Sequence, residues 1–308
     1  MRRLSIIFIL SSFLITHYSY SQGCSDAGFC TIGSIKPGHS GFQTTKKQRL
    51  SLILSNGTGD ENVYVFTPGL QYDNTLNDHW AIQTRLTGNF ASGNLGNAAG
   101  LGDLILSGTY SPASKTKTRI AFLFGTKLPF NSGNITTGNK PLPMQYQSSL
   151  GTIDAIAGIT VTRNKWMFAA AIQQPLTGRN RNTFLPVYWG TAAAYKYAST
   201  NDFNRRGDIL MRGDYTAINS SKWILHLGLL GIYHLGKDTY IDGNLSKNPI
   251  NIIGSDGLTL NGTAAIQYQA SRSLSMGLSG GIPFVVRDVR PDGLTRKFVI
   301  APEIVLHF

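Results

Sequence analysis

A period-two alternation of apolar and mixed residues constrains this chain more than any other feature, and it is plainest at the C-terminus. Phe298, Ile300, Pro302, Ile304, Leu306 and Phe308 fall on one face; Val299, Ala301, Glu303, Val305 and His307 fall on the other. That spacing describes an extended strand with one greasy side and one mixed side. The same alternation returns along the chain in segments of about ten residues, the length at which a tilted strand crosses a bilayer. Strands are expected over residues 49–54, 63–73, 79–90, 103–110, 119–128, 152–162, 166–173, 208–216, 223–235, 258–268, 274–284 and 298–308.

Short polar turns alternate with long Gly/Asn/Pro-rich loops between these segments. Turns are expected at Asn56–Gly59, Asn77–Asp78, Ser114–Lys117, Arg163–Lys165, Ser220–Lys222 and Ser271–Ser273. Loops are expected over 91–100, 129–147, 177–206, 237–257 and 287–297. Residues 187–198 are apolar enough to be read as another strand. An odd strand count would put the two termini on opposite sides, so they are placed in the 177–206 loop, with a short helix after Pro186. The expected fold is all-β: a transmembrane antiparallel barrel of twelve strands, with fourteen as the alternative, over residues 47–308. No run approaches the roughly eighteen apolar residues that a membrane-spanning helix needs.

The aromatic residues provide an independent check. Trp80, Trp166 and Trp223 each follow a short turn and begin a strand. Tyr72, Tyr110, Tyr215, Tyr268 and Phe308 end strands that run the other way. All eight fall on the expected lipid face at one level, as an interfacial girdle requires, because amphipathic rings settle at headgroup depth.

Met1-Arg2-Arg3, an apolar run from Leu4 to Ile15 and the small residues around Ser21 read as a secretory leader over residues 1–21. Residues 22–46 show no sustained period. They are expected to lie in the periplasm or to tuck into the barrel. Cys24 and Cys30 sit in this segment, separated by five residues. In an oxidising compartment they are expected to form a small disulfide ring. Asp26 alone is too little for a metal site, and a redox pair has closer spacing.

The inward face collects the charges: Arg49, Arg85, Asp103, Arg119, Lys127, Asp154, Asp208, Arg212, Asp214 and Glu303, together with His226 and His234. On the lipid face a midplane Arg or Lys would cost roughly 2–4 kcal/mol. Inside, such charges either pair across the lumen and stiffen the wall or line a constriction. The net charge of +12 has no basic run or basic helix behind it, so nucleic acid is not expected as a partner. Outer-membrane lipid and lipopolysaccharide, and a small permeant, are. His226 and His234 stand eight residues apart, about 27 Å along a strand, too far to share a metal. His79, His226, His234 and His307 all point inward, which leaves no lipid-facing Ser–His pair for a lipid hydrolase. Neither a cofactor nor an enzyme activity is expected.

Leu101-Gly-Asp-Leu-Ile-Leu-Ser-Gly-Thr-Tyr-Ser-Pro112 resembles the Gly-Asp-x-x-Leu-x-x-x-Tyr strand of the outer-membrane family named for the MetA pathway of phenol degradation, a relative of FadL-type channels. Gly102, Asp103, Leu106 and Tyr110 carry the match. The C-terminal Phe308 also resembles the closing residue of outer-membrane barrels. The resemblance implies a channel in the outer membrane of a Gram-negative bacterium that passes small organic compounds, aromatic ones among them, passively and without a cofactor. The alternative is a non-transporting barrel that serves as a subunit or anchor of an envelope complex.

Overall fold

The computed structural model describes residues 32–36, 46–243, 247–293 and 296–308. The leader over 1–21 and the Cys24–Cys30 ring lie outside the described residues. Among the described residues, twelve antiparallel strands close into a transmembrane barrel. In chain order they are β1 (Gln48–Gly59), β2 (Tyr64–Thr75), β3 (Trp80–Gly93), β4 (Gly96–Tyr110), β5 (Thr118–Pro129) and β6 (Asp154–Arg163). They continue as β7 (Trp166–Pro175), β8 (Asp208–Asn219), β9 (Trp223–His234), β10 (Gly257–Gln269), β11 (Leu274–Val285) and β12 (Arg296–His307). Each strand pairs with the next, and β12 returns to pair with β1 in the register Arg49↔His307 to Gly59↔Arg296. The last residue completes the seam: Gln48 N donates to Phe308 O at 3.2 Å, and Phe308 N donates to Gln48 O at 3.1 Å. No helix among the described residues is long and apolar enough to cross a membrane.

Alternation sorts the side chains as the sequence requires. Leu52, Leu70, Ile82, Phe124, Phe168, Leu229, Leu278 and Ile304 stand exposed on the outside. Ser51, Gln71, Gln83, Lys127, Asp154 and Asn261 are buried inside. This inversion of a soluble protein is what a bilayer solvates. At the end where β1 begins, β12 finishes and the short turns lie, the girdle residues meet across strands. Trp80 packs on Tyr110, Trp166 on Tyr215 and Trp223 on Tyr268, with ring centroids 5.0, 4.9 and 4.6 Å apart. Such pairs contribute roughly 0.5–1.5 kcal/mol beyond their burial. Tyr72 and Phe308 lie on the same outer rim, on β2 and just beyond β12.

Two expected connections are instead strand. Asn56–Gly59 does not turn the chain, since Asn56 pairs with Phe66 on one side and Ile300 on the other. Residues 91–100 do not form a loop: Ala91↔Ala98 and Gly93↔Gly96 continue the β3–β4 ladder to a tight turn at Asn94-Leu95. Gly and Asn are poor strand formers alone, but here the neighbouring strands satisfy their backbone groups. Gly96 takes the positive φ (129°) that the turn needs. In contrast, the long connection between β7 and β8 holds the expected short helix, α1 (Pro186–Trp189), with proline in its first turn and Gly190 (φ 63°) at its end.

The two faces predict opposite outcomes for adjacent residues in the middle of β11. Leu278→Arg, on the lipid side, is expected to lower unfolding stability in lipid vesicles by roughly 2–4 kcal/mol. Ser279→Arg, pointing into the lumen, is expected to leave the denaturant midpoint nearly unchanged.

Candidate functional site: the barrel lumen

Inward positions place most of the expected charges in contact with one another. Lys127 on β5 reaches Asp154 on β6 at 2.9 Å and Asp103 on β4 at 3.7 Å. Ser149 donates to Asp103 at 2.5 Å and Thr152 to Asp154 at 2.7 Å. On β8, Arg212 Nε donates to Asp214 at 2.5 Å, and Nη2 donates to Thr263 at 3.3 Å. Arg49 stands 3.9 Å from Asp73 nearer the turn end. Arg85 lies along β2: a Cβ on Gly69 would come within 3.3 Å of its Nε. His226 pairs with Thr216 at 3.2 Å, and His307 with Ser275 at 2.9 Å. Arg119 shares the inward parity but stands exposed at the turn-end rim of β5.

Asp103 owes its position to a bulge. The register steps between Leu86↔Leu104 and Gly88↔Leu101, so Gly102 and Asp103 together occupy what is one place on β3. Thr87 Oγ1 accepts from Asp103 N at 3.1 Å and donates to Asp103 O at 3.3 Å, which satisfies the interrupted ladder. Any Cβ at Gly102 would approach Thr87 Oγ1 to 2.4 Å, so the position requires glycine. The Gly-Asp step thus has a local cause.

Asp208 and His234 do not line an open lumen. They belong to a buried network that ties three loops across the far mouth. His234 Nδ1 lies 2.7 Å from Asp208 and its Nε2 lies 2.8 Å from Asp238. Carboxylates only accept, so this geometry suits the doubly protonated ring. Arg205 bonds Asp208 and, at 3.3 Å, Asp292, which also receives Arg287 at 2.9 Å. Burial alone would raise Asp292, but Arg287 and Arg205 outweigh it and hold the carboxyl well below the usual range. Arg290 crosses to Asp60, in the β1–β2 connection, at 2.5 Å. Burial, ahead of the opposing pull of Arg290, pushes Asp60 up to about 6. Arg205, Asp238, Arg287 and Asp292 sit in loops without periodicity, so the alternation gave no sign of them.

The lumen is also partly filled. Ile32 and Ile35 of the N-terminal segment are buried against the inward side chains Ile105, Leu123, Ile156 and Leu210 and the loop residues Met144 and Leu150. Gly33 N donates to Gln83 Oε1 at 3.0 Å, and Lys36 grips both oxygens of Glu303 at 2.6 and 2.7 Å. Two spaces remain. One, of about 100 Å³, lies against β10, β11 and β12. The other, of about 50 Å³, lies beneath the loops beside Asp103 and Lys127.

Lys127 stands between two buried carboxylates, so Lys127→Met is expected to cost roughly 3–5 kcal/mol. Adding Asp103→Asn and Asp154→Asn should recover most of that loss in the same denaturation assay. Asp60 ionises less readily folded than unfolded, so its charge opposes the closed loop arrangement. That cost is complete above pH 6 and vanishes below the ordinary carboxylate value of 3.8. Amide exchange over residues 286–293, corrected for intrinsic rates, should therefore be slower at pH 5 than at pH 7.5, and Asp60→Asn should reduce the difference.

The chain is similar in fold to an outer-membrane channel from Pseudomonas putida F1, with a TM-score of 0.57 at 13% identity over 86% of this chain and 97% of that one. It also matches the NanC porin (TM-score 0.47, 10% identity, 84% of this chain and 98% of that one) and a KdgM porin in complex with disordered oligogalacturonate (0.43, 7%, 84% and 99%). No protein-family model matches the sequence, and no curated protein matches it.

Proposed function

We propose that this protein is an outer-membrane channel of a Gram-negative cell that carries small organic compounds passively through its lumen. One observation carries the reading: the closed wall encloses a mid-lumen space of about 100 Å³, lined by charged and polar side chains together with small and apolar ones. The fold likeness to the Pseudomonas putida channel supports the same reading. The Gly102-Asp103 motif and its family resemblance favour organic, including aromatic, permeants.

In this reading the segment that holds Ile32 and Ile35 is a plug, and the loop network around Asp208, His234 and Asp292 is a lid. The remaining inward charges set which solutes pass. In this reading residues 1–21 are the export leader; the Cys24–Cys30 pairing falls outside the described residues. A second reading, a barrel that anchors or joins an envelope complex, draws on the apolar packing of Ile32, Ile35, Leu123 and Leu210 across the lumen.

Liposome swelling and planar-bilayer recording separate the two. Ile32→Asp with Ile35→Asp places carboxylates in an apolar pocket and is expected to expel the segment. Conductance should rise several-fold over the full-length parent, and small aromatic solutes should enter vesicles faster. Absence of permeation in both forms would remove the channel from consideration.

A further inference from the structure

The end of the barrel where β1 begins carries a one-sided charge. Five turns there join β2 to β3, β4 to β5, β6 to β7, β8 to β9 and β10 to β11. Lys115, Lys117, Arg163, Lys165, Lys222 and Arg272 stand in or beside four of these turns, and all six are exposed. Asp78, in the β2–β3 turn, is the one carboxylate among them. None of the six cations joins an ion pair among the described residues. The far mouth differs: there Glu61 meets Lys196, Asp60 meets Arg290, and Asp292 meets both Arg205 and Arg287.

Three of the cations gather on one stretch of the outer face. Thr118 on β5 pairs with Arg163 on β6, Arg163 with Trp166 on β7, and Trp166 with Tyr215 on β8. These residues form a row at the level of the girdle. Lys117 adjoins the row through Thr118, and the Lys165 ammonium stands 5.8 Å over the Tyr215 ring. The next outward row, toward the middle of the membrane, is Ile120, Val161, Phe168 and Gly213; the row after it is Phe122, Ile159, Ala170 and Met211. Phe168 stacks on Trp166 at 5.9 Å and leans across Gly213, where a Cβ would lie 3.5 Å from its ring.

From rim to midplane the order of groups is cation, amphipathic ring, hydrocarbon. A glycerophospholipid presents its complement in the same order: phosphate, glycerol esters, acyl chains. Rings of Trp and Tyr settle at ester depth, and basic side chains beside them meet the phosphates. The Lys165–Tyr215 contact decides between a lipid and an acidic protein, because it turns the ammonium toward the lipid face, where a ring quadrupole holds it.

We propose that Lys117, Arg163 and Lys165, with the Trp166–Tyr215 pair, form a binding site for an anionic glycerophospholipid on the outer face of β5 to β8. The outer-membrane reading makes its leaflet the periplasmic one. Binding on this face does not depend on conduction through the lumen, so neither result decides the other.

The full-length protein carrying Trp80→Phe, Trp189→Phe and Trp223→Phe keeps Trp166 as its one tryptophan reporter. In phosphatidylcholine vesicles, quenching by brominated phosphatidylglycerol against brominated phosphatidylcholine gives the relative affinity at that site. Phosphatidylglycerol is expected to be favoured at least about fivefold, since each nearby cation attracts an anionic lipid surface. High salt should reduce the preference. Arg163→Gln with Lys165→Gln should bring it close to unity, whereas Arg163→Lys with Lys165→Arg should retain most of it. Lys222→Gln with Arg272→Gln, in turns outside the site, should leave it in place. Heat-modifiable migration on gels would verify that each variant is a folded barrel. Equal quenching by the two lipids, or a preference that survives loss of Arg163 and Lys165, would overturn the site. An equal loss in the Lys222 and Arg272 variant would replace the site with a diffuse field. Displacement of phosphatidylglycerol by millimolar inorganic phosphate would reduce it to an ion site, and stronger competition by lipid A at equal phosphate would assign the face to the other leaflet; either result overturns the proposal.

Discussion

Everything in this molecule depends on the seam between β1 and β12. Hydrocarbon offers no hydrogen bonds, so an edge left open would expose a row of unsatisfied amides, each costing several kcal/mol. Pairing from Arg49↔His307 onward, finished by Gln48 and Phe308, removes that edge. Once the sheet is closed, alternation acquires a fixed meaning: even positions of β1 meet lipid and odd ones meet the lumen. A single-residue slip would exchange the two faces and put Arg49 in hydrocarbon.

Closure creates a second problem, because the lumen is too narrow to hydrate every group it contains. Charges placed there must be answered locally. Lys127 is 1% exposed and lies against Asp103 and Asp154, and Arg212 is met by Asp214 two residues along the same strand. These pairs give little net stability over an apolar filling. Their effect is to fix which wall faces which. The loops repeat the arrangement over the far mouth, where Arg205, Arg287, Asp208, Asp238 and Asp292 neutralise one another around His234.

The strand faces were legible in the sequence because a period of two survives even where composition is bland, as in Ala169 and Ala171 of β7. The girdle was legible because tryptophan and tyrosine recur at strand ends, and the ring pairs at Trp80, Trp166 and Trp223 follow from that register. The parity argument also kept residues 187–198 in a loop. Residues 91–100 were not legible as strand. Their Gly and Asn content signals a turn, and only the partner strands and the packing of Leu95 beneath Tyr146 make the extended form favourable. Nor could alternation tell that Asp208 and His234 join loop residues, since contacts of a loop depend on closure and leave no period behind.

The apolar inward residues pose the sharper question. Leu123 and Leu210 are fully buried, yet a water-filled lumen would not call for leucine there. They make sense as a seat for Ile32 and Ile35. Burying two isoleucines is worth roughly 3–6 kcal/mol, while ordering five backbone residues costs about 5–10 kcal/mol. Burial of the two isoleucines alone therefore does not hold the segment, and the grip of Lys36 on Glu303 and the bond from Gly33 to Gln83 bring it close to balance. A plug held so close to balance can be displaced by a modest change in charge at one of those contacts. Among the described residues 32–36, that ion pair and that hydrogen bond are the polar ties between the segment and the wall.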